Sequence, residues 1–264
     1  MRNAIGYAVT KATGLLNAES RVTGAVCGFR QSPSMSQVKR WEWQLRSLLD
    51  NAIVRYKLAR LQVRYQHYSM VPKPIFIENL YLCHRLARHV EGSVVECGVW
   101  RGGISAAMTH VLGAHRKYYL FDSFEGLPPA KEIDGKAALA WQHDITSPTY
   151  FDNCRAGIES AERAMSMSAA KDYRLIRGWF SETLPSFVPG EPIAVLRLDA
   201  DWYDSTTECL NRLYRYVAKG GLVLIDDYYT WDGCSRAVHD FLSATKSEDR
   251  IRQSTNGVCY IVKR

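Results

Sequence analysis

From Val94 onward, short apolar runs of strand length alternate with stretches whose apolar positions recur every three or four residues. Val94–Cys97, Lys117–Phe121, Tyr173–Ile176, Ile193–Leu198 and Gly221–Ile225 read as strands. Residues 104–112, 205–217 and 235–245 read as helices between or after them. Strands alternating with helices predict an α/β fold built on a parallel, doubly wound sheet. Residues 250–262 carry Asn256-Gly257 between two β-prone runs. Asn-Gly is the favoured tight hairpin turn, so an antiparallel hairpin is expected on the sheet edge.

The chain before Val94 has a different rhythm. Trp41, Trp43, Leu45, Leu48, Leu49, Ile53 and Leu58 recur near helical spacing and predict a long amphipathic helix from about Gln37 to Tyr65. Val71-Pro72-Lys73-Pro74 then breaks the chain, and a second helix is expected from about Ile75 to His89. Residues 1–35 are rich in Ser, Gly and Ala and are expected to be loosely ordered. Residues 123–147 form a polar loop containing Pro and Gly, with a helix following to about Met167. A loop that long in a compact domain is commonly a lid, with Trp141 and His143 placed to close over a substrate. The organisation expected is a helical extension over 1–67 and one α/β domain over 68–264.

Two strands end in paired acids: Leu196-Arg197-Leu198 runs into Asp199-Ala200-Asp201, and Leu222 to Ile225 runs into Asp226-Asp227. An open parallel sheet presents the carboxyl ends of its strands to one crevice, where ligands bind. Carboxylates crowded there raise one another's pKa unless a cation or a reaction uses them. The pattern asks for a divalent metal, a proton transfer, or both. Asp204 is expected to cap the helix that starts near Ser205. His239 is expected on a helix face, in the core or at the surface.

The stretch Val94 to Gly103 is a strand, a glycine turn and a helix start. Its glycines permit positive φ and close approach of a ligand to the backbone. It lacks the G-x-G-x-x-G spacing of a dinucleotide site. Glu96, just before the turn, would repel a pyrophosphate and suit an ammonium or sulfonium group. Asp122 ends the next strand, 24 positions after Gly98, where an acid bonds ribose hydroxyls in nucleoside sites. Glu96 and Asp122 together suggest an adenosine with a cationic tail, S-adenosylmethionine.

Composition narrows the class. With 264 residues, 47% hydrophobic, the chain can bury a full core. No stretch approaches the roughly 20 apolar residues of a membrane span. Residues 1–29 lack the clean apolar block of a signal peptide. Seven scattered cysteines without a C-x-x-C pair fit reduced thiols in a cytoplasm. The net charge is +7, of which +9 lies in the first 75 residues. Aromatic and aliphatic residues interleave with those cations, so the basic segment reads as a packing helix and a route to a homo-oligomer.

Several blocks resemble one family. Tyr68-Ser69-Met70-Val71, Val95 to Gly103, Phe121-Asp122-Ser123-Phe124-Glu125-Gly126-Leu127-Pro128, Gly178 to Pro185, Leu196 to Thr206, and Gly220 to Tyr228 are similar to the macrocin O-methyltransferase (TylF-type) family. The resemblance spans Tyr68 to Arg264. It implies a class I (Rossmann-like) methyltransferase fold, S-adenosylmethionine, and Mg²⁺-dependent methylation of a hydroxyl on a sugar or glycosylated metabolite. Carried over by position, Asp199, Asp226 and Asp227 would hold the metal and Asp201 would be the base. Glu96, Gly98, Trp100 and Gly102 would line the methionine end of the cofactor, with Asp122 and Ser123 at the ribose. Ser69 and Met70 would cover it, and Gly178, Trp179 and Phe180 would sit near the adenine. Trp202 stands where a smaller apolar residue is expected, and with Tyr203 it would border the acceptor.

Two other classes compete with this one. A nucleic-acid methyltransferase would dock through the basic extension, but the Asn/Asp-Pro-Pro-Tyr/Phe motif of base N-methylation is missing. A non-catalytic nucleoside-binding scaffold would have little use for four intact acids at Asp199, Asp201, Asp226 and Asp227.

Overall fold

The computed structural model describes residues 35–264, with side chains from Leu48 onward. The expected loose order of residues 1–35 and the packing of Trp41 and Trp43 lie outside the described residues. The chain divides into two units, 1–47 and 48–264. The second unit carries a seven-stranded sheet in the order β3-β2-β1-β4-β5-β7-β6. Its strands are β1 (Ser93–Cys97), β2 (Lys117–Asp122), β3 (Asp172–Arg177), β4 (Ile193–Leu198), β5 (Val217–Ile225), β6 (Arg252–Gln253) and β7 (Cys259–Val262). The first five pair in parallel, and β7 runs antiparallel to both β5 and β6. The doubly wound sheet with an antiparallel hairpin at its edge is therefore as the alternation implied.

Strands β1 and β4 are buried along their whole length, which is why their sequences run apolar instead of alternating. One face packs Val94, Leu120, Val195 and Leu224 against α2 (Lys73–Leu82), α3 (Gly103–Leu112) and α5 (Ile158–Ser166). The other packs Val95, Leu196, Val223 and Ile225 against α7 (Tyr203–Leu213) and α8 (Asp232–Ala244). Each such side chain contributes about 1.5–3 kcal/mol on burial.

The long amphipathic helix is α1 (Met35–Tyr65). Leu58 and Tyr65 on its inner face are buried, and Arg55 bonds the buried Glu78 at 3.0 Å. Leu48, Leu49, Ile53, Tyr56 and Val63 remain exposed. Among the described residues, no helix is long and apolar enough to cross a membrane.

Three expectations need correction. The helix expected to reach His89 ends at Leu82 and passes into a π turn, Cys83–Ala87. The loop over 123–147 contains α4 (Lys136–His143), and the helix after it starts only at Ile158. α4 is held by long-range contacts, with Ala138 buried, Trp141 against Trp202 and Trp231, and Gln142 bonded to Ala130, Pro128 and Asn153. Asp204 does not cap α7. Asp134, far away in sequence, accepts from the Tyr203 N–H at 2.7 Å, and Asp204 pairs instead with Lys131.

Candidate active site

The site lies at the carboxyl ends of β1, β4 and β5, at the switch point where the strand order leaves β1. Register sets its geometry. Glu96 is opposite Arg197, and Leu198 is opposite Ile225, which places the next residues, Asp199 and Asp226, side by side. Ligand oxygens of Asp199, Asp226 and Asp227 lie within 4.8 Å of one another. Acids from the ends of two strands, Asp199 after β4 and Asp226 and Asp227 after β5, thus form one cluster.

Sequence reading missed the residue that holds this cluster together. Arg197 is buried near the carboxyl end of β4. Its Nη1 donates to Glu96 Oε1 at 2.7 Å and to Asp199 Oδ2 at 2.8 Å. Its Nη2 sits 2.8 Å from Asp226 Oδ1, a charge contact without hydrogen-bond alignment. A lone cation inside an otherwise apolar strand, two residues before an acid, was the available signal. Burial disfavours the charged guanidinium, but Asp226, Asp199 and Glu96 outweigh it and hold Arg197 protonated.

Five carboxylates crowd here: Glu96, Asp199 and Asp226 pair with the guanidinium, and Asp201 and Asp227 stand beside them in the cluster. Burial is the largest influence on four of them. It pushes Glu96 up to about 7 against the pull of Arg197. It lifts Asp226 to about 6, again against Arg197. Burial together with Asp199 lifts Asp201 to about 8. Asp227 is raised well above the ordinary carboxylate range by burial and by Asp201.

Asp201 has left-handed backbone, φ +53°, and its N–H donates to Asp227 Oδ2 at 3.1 Å. Its Oδ1 accepts from Trp231 Nε1 at 3.0 Å. At Gly98, φ is +88° and an added Cβ would stand 1.7 Å from the Asp199 carbonyl oxygen. Only glycine lets the turn after β1 lie this close to the end of β4.

Two cavities meet at Gly98, Asp122 and Asp199. The larger, about 460 Å³, is lined by Ser123, Trp179, Phe180 and Trp202. The smaller, about 300 Å³, is lined by Ser69, Met70, Glu96, Trp100, Asp201, Asp226 and Asp227. Asp122 uses both oxygens on backbone: Oδ2 accepts from Val99 and Trp100 at 2.7 and 2.8 Å, and Oδ1 from Phe124 at 2.6 Å. It therefore clamps the glycine turn as well as lining the cavities. Ser123 spends its hydroxyl on its own turn, donating to the Gly126 carbonyl. Glu96 is committed through both oxygens, to Arg197 and to the Ser105 hydroxyl. The Trp100 indole N–H is buried without a partner among the described residues. Gly102 and Gly178 line neither cavity; Gly102 packs against Ala161, and Gly178 donates its N–H to the Asp122 carbonyl. Trp202 borders the larger cavity and packs on Trp231 at 5.3 Å, while Tyr203 lines neither, its hydroxyl donating to Asp240. His239 is exposed and bonds Tyr228.

Residues 125–157 wall both cavities on one side through Gly126, Leu127, Pro128 and Phe151. Trp141 fixes this segment. Its ring meets Trp231 at 5.9 Å and Trp202 at 6.3 Å, and it faces the smaller cavity. His143 lines neither cavity.

The chain is 38% identical over 187 residues to the 8-demethyl-8-(2,3-dimethoxy-alpha-L-rhamnosyl)-tetracenomycin-C 4'-O-methyltransferase of Streptomyces olivaceus, covering 67% of this chain and 69% of that one. It is 34% identical to the demethyldecarbamoylnovobiocin O-methyltransferase of Streptomyces niveus, over 66% of this chain and 68% of the relative. Among solved structures, the O-methyltransferase NovP superposes with a TM-score of 0.62 at 26% identity, covering 82% of this chain and 99% of its own. The calicheamicin methyltransferase CalS11 shares the fold, with a TM-score of 0.52 at 20% identity, covering 92% of this chain and 99% of its own. The family profile described as macrocin-O-methyltransferase (TylF) matches residues 66–261. This chain is a methyltransferase and belongs to the macrocin O-methyltransferase (TylF) family.

Proposed function

We propose that this enzyme transfers a methyl group from S-adenosylmethionine to a sugar hydroxyl of a glycosylated metabolite, with Mg²⁺ held by Asp199, Asp226 and Asp227. The observation that carries the reading is the convergence of those three acids within 4.8 Å, at the junction of two cavities beside a glycine turn. The acids fit a hard dication: they are oxygen donors gathered within 4.8 Å of one another. The relatives named above act on sugar-bearing natural products, which supports the acceptor class.

The division of the cavities supports the cofactor. A nucleoside at Ser123, Trp179 and Phe180 with its tail at Ser69, Met70 and Trp100 would span both, passing Gly98 and Asp122. Trp100 offers that ligand a buried, unpartnered N–H. When bound, the sulfonium donor supplies an activated methyl group and the dication supplies charge that lowers a hydroxyl pKa. Asp201 takes the acceptor proton, and the bond its Oδ1 accepts from Trp231 Nε1 fixes its orientation. Met70, Trp141, Phe151 and Trp231 exclude water and hold the sugar against the acids. Residues 68–264 form the transferase domain in this reading. Residues 1–67 form an extension whose outward apolar stripe on α1 suits contact with a second copy.

The test is calorimetric titration of S-adenosylhomocysteine with and without Mg²⁺, beside methyl transfer to glycosylated acceptors in chelator. Loss of transfer in chelator, restored by Mg²⁺, is expected. No binding of S-adenosylhomocysteine would remove the cofactor, and full turnover of metal-free protein would remove the metal.

A further inference from the structure

We propose that Arg197 is a positioning residue that makes the acid cluster select small octahedral dications over Ca²⁺. This rests on the metal reading above and concerns a side chain to which that reading gives no part. The guanidinium faces Asp199 Oδ2 and Asp226 Oδ1, both at 2.8 Å. Each of these oxygens lies against a fixed positive charge that repels a second cation. The opposite oxygen of each carboxylate is left for an ion, so each acid offers one oxygen instead of two.

Glu96 is removed as a ligand in the same way, because its oxygens are taken by Arg197 and Ser105. Asp227 Oδ2 already accepts from the Asp201 N–H. The cluster therefore presents few, singly ligating oxygens. Mg²⁺ and ions like it want near-ideal octahedral geometry with one oxygen per carboxylate and several waters. Ca²⁺ takes six to eight oxygens and gains from bidentate carboxylates. The arrangement is also rigid: Arg197 lies in the centre of the sheet, with its neighbours on β1 and β5 setting its position.

Metal-free full-length protein is titrated with Mg²⁺, Mn²⁺ and Ca²⁺ separately, following heat of binding and the rise in Tm. Wild type is expected to bind Mg²⁺ and Mn²⁺ more tightly than Ca²⁺. In Arg197→Met the Ca²⁺ to Mg²⁺ affinity ratio is expected to rise by about tenfold, because Asp199 and Asp226 become free to bind through both oxygens. Arg197→Lys keeps the charge, but one ammonium cannot serve both acids, so a smaller rise is expected. A folded Arg197→Met protein with the wild-type ratio overturns the proposal. If that variant does not fold, an unchanged ratio in Arg197→Lys overturns it. Infrared carboxylate bands of loaded wild type supply an independent reading: a monodentate splitting is expected, and a bidentate one overturns the proposal. Should wild type bind none of the three ions, the metal site falls with it. Binding whose preference is indifferent to residue 197 sinks only this inference.

Discussion

Trp141 ties residues 125–157 to the site, and replacing it by Ala should loosen that wall without unfolding the domain. Its ring lies 5.4 Å from Tyr150, 5.9 Å from Trp231 and 6.3 Å from Trp202. Its N–H donates to the Thr149 carbonyl at 2.9 Å. The side chain is half-buried, so low values suit each contact. Three ring pairs at roughly 0.5–0.8 kcal/mol and a hydrogen bond at about 0.5 kcal/mol total about 2–3 kcal/mol. That is a change of roughly 30- to 150-fold in the local opening equilibrium. The remaining anchors stay: Trp202 Nε1 still donates to the Pro128 carbonyl, and Asn153 Nδ2 to the Leu127 carbonyl. Hydrogen exchange followed by mass spectrometry reads the effect. Amides of α4 should exchange faster by about that factor, while β1 and β4 keep their protection. Trp141→Phe keeps a ring and loses the hydrogen bond, so a rise of only about two- to fivefold is expected. KM for the acceptor should rise in the Ala variant. Equal exchange of α4 in wild type and Trp141→Ala would refute the assignment of this tryptophan as the anchor.

Gly98→Ala forces a Cβ to 1.7 Å from the Asp199 carbonyl at a φ of +88°. It should abolish S-adenosylhomocysteine binding by calorimetry and lower Tm; wild-type affinity in this variant contradicts the close approach of β1 and β4. Asp227→Asn removes one acid of the cluster, and should lose the Mg²⁺-dependent rise in Tm while its circular dichroism spectrum stays that of wild type. An unchanged rise would take Asp227 out of the metal site. His110 is lowered from its ordinary pKa by burial and by Arg64, and it meets the Tyr65 hydroxyl at 2.9 Å. A histidine depressed in the folded state binds fewer protons there than when unfolded, so its contribution is full above about pH 6.5 and falls as pH drops below it. Thermal melts of His110→Gln against wild type should show their difference shrinking from pH 7.5 to pH 5; a constant difference refutes the coupling.

Much of this protein is legible along the chain because local periodicity carries it. Strands buried on both faces run apolar nearly throughout, so Ile193–Leu198, Arg197 apart, and Leu222–Ile225 declare themselves, and the acids that follow them emerge at one edge of the sheet. The hairpin around Asn256-Gly257 follows from turn chemistry in the same way. What tertiary structure alone decides is pairing across distance. That β4 lies between β1 and β5 brings Arg197 against Glu96, Asp199 and Asp226, and turns an unremarked strand residue into the hub of the site. The same holds for Asp134 receiving the first amide of α7, a role that sequence proximity assigned to Asp204. It holds again for Asp122, whose position marks a ligand site but whose oxygens are taken up by the turn after β1. Sequence fixes where a side chain leaves the backbone; the neighbours that share or neutralise its charge come from other strands, and burial makes those neighbours decisive.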